Sequence, residues 1–193
     1  MLPIMVPLDR TTQWMETHAG KQLFLPVTED MIEIEDIAHA LSMQCRYAGH
    51  TKQFYSVAEH CCLVSDWVWR SMKNHPDSEH RVKTALAALM HDASEAYLVD
   101  IPKPIKPYLT NYAELEQQIE VVVADKYGFE YPYAKLIKEA DVRILLDERA
   151  QLFDWSGHDW ELPVSEPLGV HIDALSPQQA KAQFLERFHD YAS

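Results

Sequence analysis

From Ile34 onward, apolar residues return every three or four positions, and short polar, glycine or proline breaks divide the pattern into helices. Ile34, Ile37, Ala38, Leu41 and Cys45 share one face of a helix over Ile34 to Arg46, and Gly49 ends it. A second helix runs from about Ser56, a good N-cap, to Asn74, with Val57, Cys61 and Val64 on its buried face. Pro76-Asp77-Ser78 separates it from a third, about Glu79 to His91, so rich in alanine and leucine that it must pack deeply. Asn111 to Glu114 has the spacing of a capping box, opening a helix to about Tyr127 that Gly128 stops. Another helix spans Tyr133 to about Trp155. The last starts at Ser176-Pro177-Gln178-Gln179 and carries the stripe Ala180, Phe184, Phe188 and Tyr191.

Between these elements the chain reads differently. Gln13 to Thr17 and Lys21 to Leu25 flank His18-Ala19-Gly20 as a short hairpin, closed by Pro26. Prolines 102, 104 and 107 forbid a continuous helix and leave a stiff loop with at most one short turn. Residues 156–174 read as a loop on the surface. The first residues, with Pro3, Pro7 and Asp9 and no basic stretch ahead of them, suit neither a signal peptide nor a membrane span. The expected fold is all-α, a helical bundle with a minor N-terminal β-hairpin. It forms one domain over residues 1–193, with a core of about 30–155 and a C-terminal helix over 176–193.

A formal charge of −13 argues against binding a nucleic-acid polymer, which needs a basic face to displace counterions. A small phosphorylated substrate is still allowed if a cation neutralises it locally. Cys45, Cys61 and Cys62 are an odd number without C-x-x-C spacing, so they read as small buried hydrophobes in a reducing cytoplasm, with a thiolate ligand at Cys61 as the lesser alternative.

The chemistry collects around Met90-His91-Asp92-Ala93-Ser94-Glu95. Adjacent His91 and Asp92 offer an imidazole nitrogen and a carboxylate oxygen to one point, which suits a borderline or hard divalent cation. His60 sits on the rim of the second helix's buried face. Asp141 lies beside the apolar stripe of the helix over Tyr133 to Trp155, where a carboxylate is costly to bury unless a cation or strong donors meet it. The economical reading is one metal held by His60, His91, Asp92 and Asp141. Mn, Co, Fe, Ni and Zn all suit that donor set; Mg seldom takes imidazole. On a continuing turn, Glu95 would face the same pocket.

His60, then His91-Asp92, then Asp141, together with Glu95 and Asp100-Ile101-Pro102-Lys103-Pro104-Ile105-Lys106, resembles the HD-domain metal-dependent phosphohydrolases. The 5'-deoxynucleotidase branch and phage-encoded nucleotide phosphohydrolases are the most similar. The resemblance covers roughly residues 30 to 150 and implies an HD-domain bundle, an enzyme that removes phosphate from deoxyribonucleotides, and homo-oligomers. It also implies a catalytic role for Glu95 beside Asp92, a phosphate contact for Arg46 and a contact from Asp100 to the sugar 3'-hydroxyl. Tyr47 and the pair Leu98-Val99 depart from the tryptophan and Thr-Gly of the nucleotidases. His50, Lys52, Lys103 and Lys106 are further candidates for offsetting substrate charge. No histidine lies between Asp92 and Asp141, where two-metal relatives find extra ligands, so a single cation is expected. Two alternatives stand beside this expectation: a deoxynucleoside triphosphate hydrolase such as a phage-type dATP phosphohydrolase, and a non-catalytic metal-containing nucleotide-binding module.

Overall fold

The helical spacing of the sequence becomes seven α-helices and one hairpin among the described residues, which in this computed structural model are 13–154 and 156–192. Strands β1 (Met15–Glu16) and β2 (Gln22–Leu23) pair antiparallel. The helices are α1 (Ile34–Met43), α2 (Val57–Ser71), α3 (Ser78–Leu89), the single turn α4 (Glu95–Leu98), α5 (Tyr112–Tyr127), α6 (Lys135–Leu152) and α7 (Pro177–Ala192). The fold is all-α with a minor hairpin, as the pattern predicts. The expectation for the first residues lies outside the described residues.

Helix α2 is the centre of the bundle, packed against α1, α3, α6 and α7. Its start follows from its cap: the Ser56 hydroxyl accepts from the Glu59 amide at 3.1 Å. Val57, Ala58, Cys61, Cys62, Val64 and Val68 then fall inside, joined by Leu86 to Leu89 of α3, by Met90 just after it, and by Ile137, Ala140 and Ile144 of α6. Cys61 and Cys62 are thus small core side chains with free thiols. At α7 the capping box is complete: the Gln179 amide donates to Ser176 Oγ at 3.3 Å, and the Ser176 amide donates to Gln179 Oε1 at 3.1 Å.

Several boundaries differ from the sequence expectation: α2 ends at Ser71, short of Asn74, α6 spans Lys135–Leu152 in place of Tyr133 to about Trp155, and three others differ for a local reason. Helix α1 stops at Met43 because Gln44 and Cys45 turn extended and Cys45 bridges to Ser56. Asn111 does not cap α5 with its side chain; its backbone is left-handed, φ 69°, and the chain enters the helix through a tight turn instead. Helix α3 ends at Leu89, two residues before His91.

The segment 156–174 is more than a surface loop, because buried acceptors fasten its second half to the bundle. Asp147 accepts from the amides of Leu168, Gly169 and Val170 at 2.8, 3.1 and 3.2 Å. Gln151 accepts from Ile172 and donates to the Val170 carbonyl. Glu59 accepts from Asp173, Ala174 and Leu175 at 2.9, 3.0 and 2.9 Å. These bonds draw Leu168 and Ile172 inside and aim the chain into α7. Among the described residues, no helix is long and apolar enough to cross a membrane.

Glu59→Ala strips the acceptor from three amides and should cost about 3 kcal/mol of unfolding free energy, with Glu59→Gln falling between it and wild type. Urea titration followed by circular dichroism measures both. Equal midpoints for all three proteins would show that Glu59 does not hold the segment.

Candidate metal centre

Two neighbouring residues on an unbroken helix point about 100° apart, so His91 and Asp92 can share a target only where the helix breaks. It does break: after Met90 the chain passes through a turn before α4, with the Ala93 amide bonded to the Met90 carbonyl and the Glu95 amide to the Asp92 carbonyl, both at 3.0 Å. His60 reaches the same point from α2, and Asp141 reaches it from α6.

His60, His91 and Asp141 bring their donor atoms within 4.8 Å of one another, and Asp92 approaches both imidazoles beside them. His60 Nε2 lies 3.3 Å from His91 Nε2, 3.2 Å from Asp141 Oδ1 and 3.6 Å from Asp92 Oδ2. His91 Nε2 lies 3.4 Å from Asp92 Oδ1 and 3.7 Å from Asp141 Oδ1. Ligands bonded to one cation at about 2.0–2.2 Å stand about 3.0–3.6 Å apart, so the spacing fits a shared ion. Cys61 Sγ lies within 4.8 Å of the donor atoms of His91 and Asp92, but burial pushes its thiol up to about 11, which leaves it protonated.

Bonds behind the imidazoles fix which nitrogen faces inward. His91 Nδ1 is 2.8 Å from the Ala88 carbonyl, an acceptor only, so Nδ1 carries the hydrogen and Nε2 presents a lone pair. His60 Nδ1 is 2.7 Å from Glu148 Oε1. Glu148 is fully buried; burial alone would raise its pKa, but Arg46 and His60 override it and hold the carboxyl at about 2. It is therefore an acceptor for His60, for the Tyr55 hydroxyl at 2.9 Å and for the Tyr47 hydroxyl. Two imidazole lone pairs and two carboxylates thus face one another with no hydrogen between them. That arrangement repels unless a cation or protons sit inside, and this cluster could hold a metal ion.

Burial disfavours the imidazolium at His60 and His91, yet Glu148 and Asp141 raise the former, and Asp92, Cys61 and Asp141 raise the latter well above its ordinary value. Asp141, its side chain 42% exposed, is nonetheless held well below the usual carboxylate range by its bonds to the two imidazoles.

Arg46 joins the cluster to its surroundings. Its guanidinium lies 3.3 Å from Asp92 Oδ2 and 3.4 Å from Glu148 Oε1. Three carboxylates, Asp92, Asp141 and Glu148, against this one guanidinium leave two negative charges, which a divalent cation matches. Arg46 and Tyr47 are aimed by a tight turn in which Tyr47 and Ala48 are left-handed, φ 57° and 51°, and Gly49 follows at 79°. Two non-glycine residues in that region cost about 1–2 kcal/mol each, and the bonds to Glu148 help hold the turn against it.

A cleft of about 640 Å³ opens beside the cluster, lined by Arg46, Tyr47, Asp92, Glu95, Asp100, Lys103, Lys106 and Asp141 among others. The structure therefore gathers most of the site residues expected from the sequence. His50 and Lys52 are exposed and do not line it; Lys52 pairs with Asp154 at 3.5 Å instead. Glu95 is 5% exposed, with one oxygen 3.7 Å from Lys106 Nζ and the other without a hydrogen-bond partner among the described residues. Burial first, then the neighbouring Asp92 and Asp100, raises its carboxyl well above the usual range.

Two positioning residues escape the sequence analysis. Glu148 had a signal, since it lies seven residues after Asp141, two turns along the same face of α6. Gln44 had none. Its amide donates to the Glu95 carbonyl at 3.0 Å and accepts from the Asp100 amide at 2.9 Å, clamping α4 and its strained exit at Val99, φ 72°.

Two outcomes are expected. The acids around both imidazoles raise their pKa values, so a divalent cation competes with protons for their nitrogens, and affinity should rise with pH until those raised values are passed. Calorimetry of Co(II) binding in buffers of different ionisation enthalpy should show proton release; buffer-independent heats would contradict the site. Glu148→Gln, which removes the charged acceptor behind His60, should weaken metal binding about 10–100-fold in a competitive chelator titration. An unchanged affinity would detach Glu148 from the centre.

No family model matches the chain. Over 182 residues it is 37% identical to the uncharacterized protein YfdR of Escherichia coli K12, covering 92% of this chain and 94% of the relative. Over 189 residues it is 32% identical to an uncharacterized protein of Rhodobacter capsulatus, covering 91% of this chain and 94% of that one. The helical fold and its His/Asp cluster are compatible with an HD-like fold, and at this identity and coverage the chain belongs to the protein family of Escherichia coli YfdR.

Proposed function

We propose that this chain is an HD-type phosphohydrolase that removes phosphate from deoxyribonucleotides, using a single divalent cation held by His60, His91, Asp92 and Asp141. The observation that carries the reading is Glu95: a buried carboxyl with one oxygen unpartnered among the described residues, in the wall of a cleft that two of the four donors, Asp92 and Asp141, also line. A purely structural metal site has no use for such a group, and closed sites leave no cleft at the metal. Mn, Co, Fe, Ni and Zn all suit the donor set. When bound, such an ion acidifies a water and polarises a phosphoryl oxygen.

The chain's own residues divide the remaining work. Arg46, fixed by Asp92 and Glu148, brings positive charge to the cleft, and Lys106, paired with Glu116 at 2.8 Å and near Glu95, brings more from the proline loop. Glu95 holds a proton in this geometry and is placed to pass it to a departing oxygen. Asp100 lines the cleft with its amide held by Gln44, which supports a role for its carboxylate in reading a sugar hydroxyl. Cleavage of a deoxynucleoside triphosphate is the second reading, which the size of the cleft supports.

Pure protein with Mn or Co should release inorganic phosphate from deoxynucleoside monophosphates; release of pyrophosphate or triphosphate from a triphosphate panel would select the second reading, and no product from any nucleotide would end both. Glu95→Gln should keep its metal and lose at least ~100-fold in rate. Asp100→Ala should narrow the preference for deoxy over ribo substrates, and an unchanged ratio would remove it from the sugar site.

A further inference from the structure

The cleft has two unlike sides. Arg46, Asp92, Glu95, Asp100, Lys103 and Lys106 bring charge from the turn after α1, the break before α4, the start of α4 and the proline loop, which also lends Ile101, Pro102 and Pro104 to the lining. Val142 and Leu145 from α6, with Trp160 and Leu162 from the segment after it, are apolar. Val142 follows the metal-ligand candidate Asp141, and Leu145 lies four residues, about 6 Å along the helix axis, beyond Asp141. The apolar side therefore begins at the metal cluster and runs away from it by a distance comparable to the phosphate-to-base span of a mononucleotide.

Trp160 is built into this side. Its ring centroid lies 5.3 Å from Phe153 and 5.7 Å from Tyr47, which themselves meet edge-on at 5.1 Å. Tyr47 is held in turn by its hydroxyl bond to Glu148. The backbone around Trp160 is pinned as well: Asp159 Oδ1 accepts from the Trp160 amide at 2.8 Å and from Arg149 Nη1 of α6 at 2.6 Å, while the Arg149 guanidinium stands 5.7 Å from the indole ring. An indole fixed from several directions at the edge of a polar, cation-binding cleft is preorganised for a flat partner.

We propose that Trp160, backed by Tyr47 and Phe153 and flanked by Val142, Leu145 and Leu162, is a stacking subsite for the nucleobase of the substrate. The proposal rests on the nucleotide phosphohydrolase reading and deepens it. It also fixes the kind of selectivity. The Tyr47 hydroxyl is taken up by Glu148, and apart from the indole N–H the other side chains of this wall carry no hydrogen-bonding group, so it recognises ring area and not base edges. Purines bind more tightly than pyrimidines, and adenine and guanine bind alike, because strong discrimination between bases needs buried polar partners.

The test is equilibrium binding to the full chain carrying Glu95→Gln and loaded with Mn(II), so that turnover does not interfere. The probes are dAMP, dGMP, dCMP and 2-deoxyribose 5-phosphate, measured by calorimetry. The purine nucleotides should bind about tenfold or more tightly than the abasic sugar phosphate. Adding Trp160→Ala should erase most of that gap while leaving the sugar phosphate unchanged, and Trp160→Phe should keep most of it. No gap in the parent, a gap that survives Trp160→Ala, or more than tenfold discrimination between dAMP and dGMP would overturn the subsite and leave the hydrolase reading standing. Failure of the sugar phosphate itself to bind while Mn(II) is retained would overturn both.

Discussion

Two imidazole nitrogens with their lone pairs directed at each other across 3.3 Å, and a carboxylate on each side, form the constraint to which the rest of the molecule answers. Neither ring can turn its other nitrogen inward without abandoning the Ala88 carbonyl or Glu148. The repulsion is therefore fixed by the fold. Helix α2 supplies one ring, the break after α3 supplies the second ring and a carboxylate, and α6 supplies the last donor; these elements pack on one core in which α2 touches both of the others.

The surrounding structure keeps that arrangement stiff. Glu148 orients His60, fixes the Tyr47 and Tyr55 hydroxyls and offsets Arg46, so one buried carboxylate links the metal cluster to the left-handed turn that forms the cleft rim. Two more buried acids, Asp147 and Glu59, do the same service for the segment before α7 by accepting from six backbone amides. The acidic character of the chain is thus partly structural: some of its carboxylates replace missing backbone partners in a segment with no regular structure of its own.

Much of this was legible in the sequence. Apolar spacing, the Ser56 cap and the Ser176 box located the helices because those signals are local and the structure satisfies them locally. The four donors could be named because carboxylate and imidazole groups on or beside buried helix faces are costly without partners, and Asp141 and His60 were the conspicuous cases. What stayed hidden depends on contacts distant in sequence. Gln44 clamps residues 51 and 56 positions away, Glu148 meets His60 across 88 positions, and Trp160 acquires its place only when Arg149 and the aromatic pair Tyr47 and Phe153 come together. Two of the helix ends that differed, at Met43 and Leu89, are where the chain gives up regular hydrogen bonds so that Arg46, His91 and Asp92 can turn toward one point.

The most direct test is anomalous diffraction from crystals grown with Mn(II) or Co(II). One ion per chain, bonded to His60 Nε2, His91 Nε2 and oxygens of Asp92 and Asp141, with further positions open toward the cleft beside Glu95, is the expected result. An ion elsewhere, or the two imidazoles turned apart with no density between them, would contradict it.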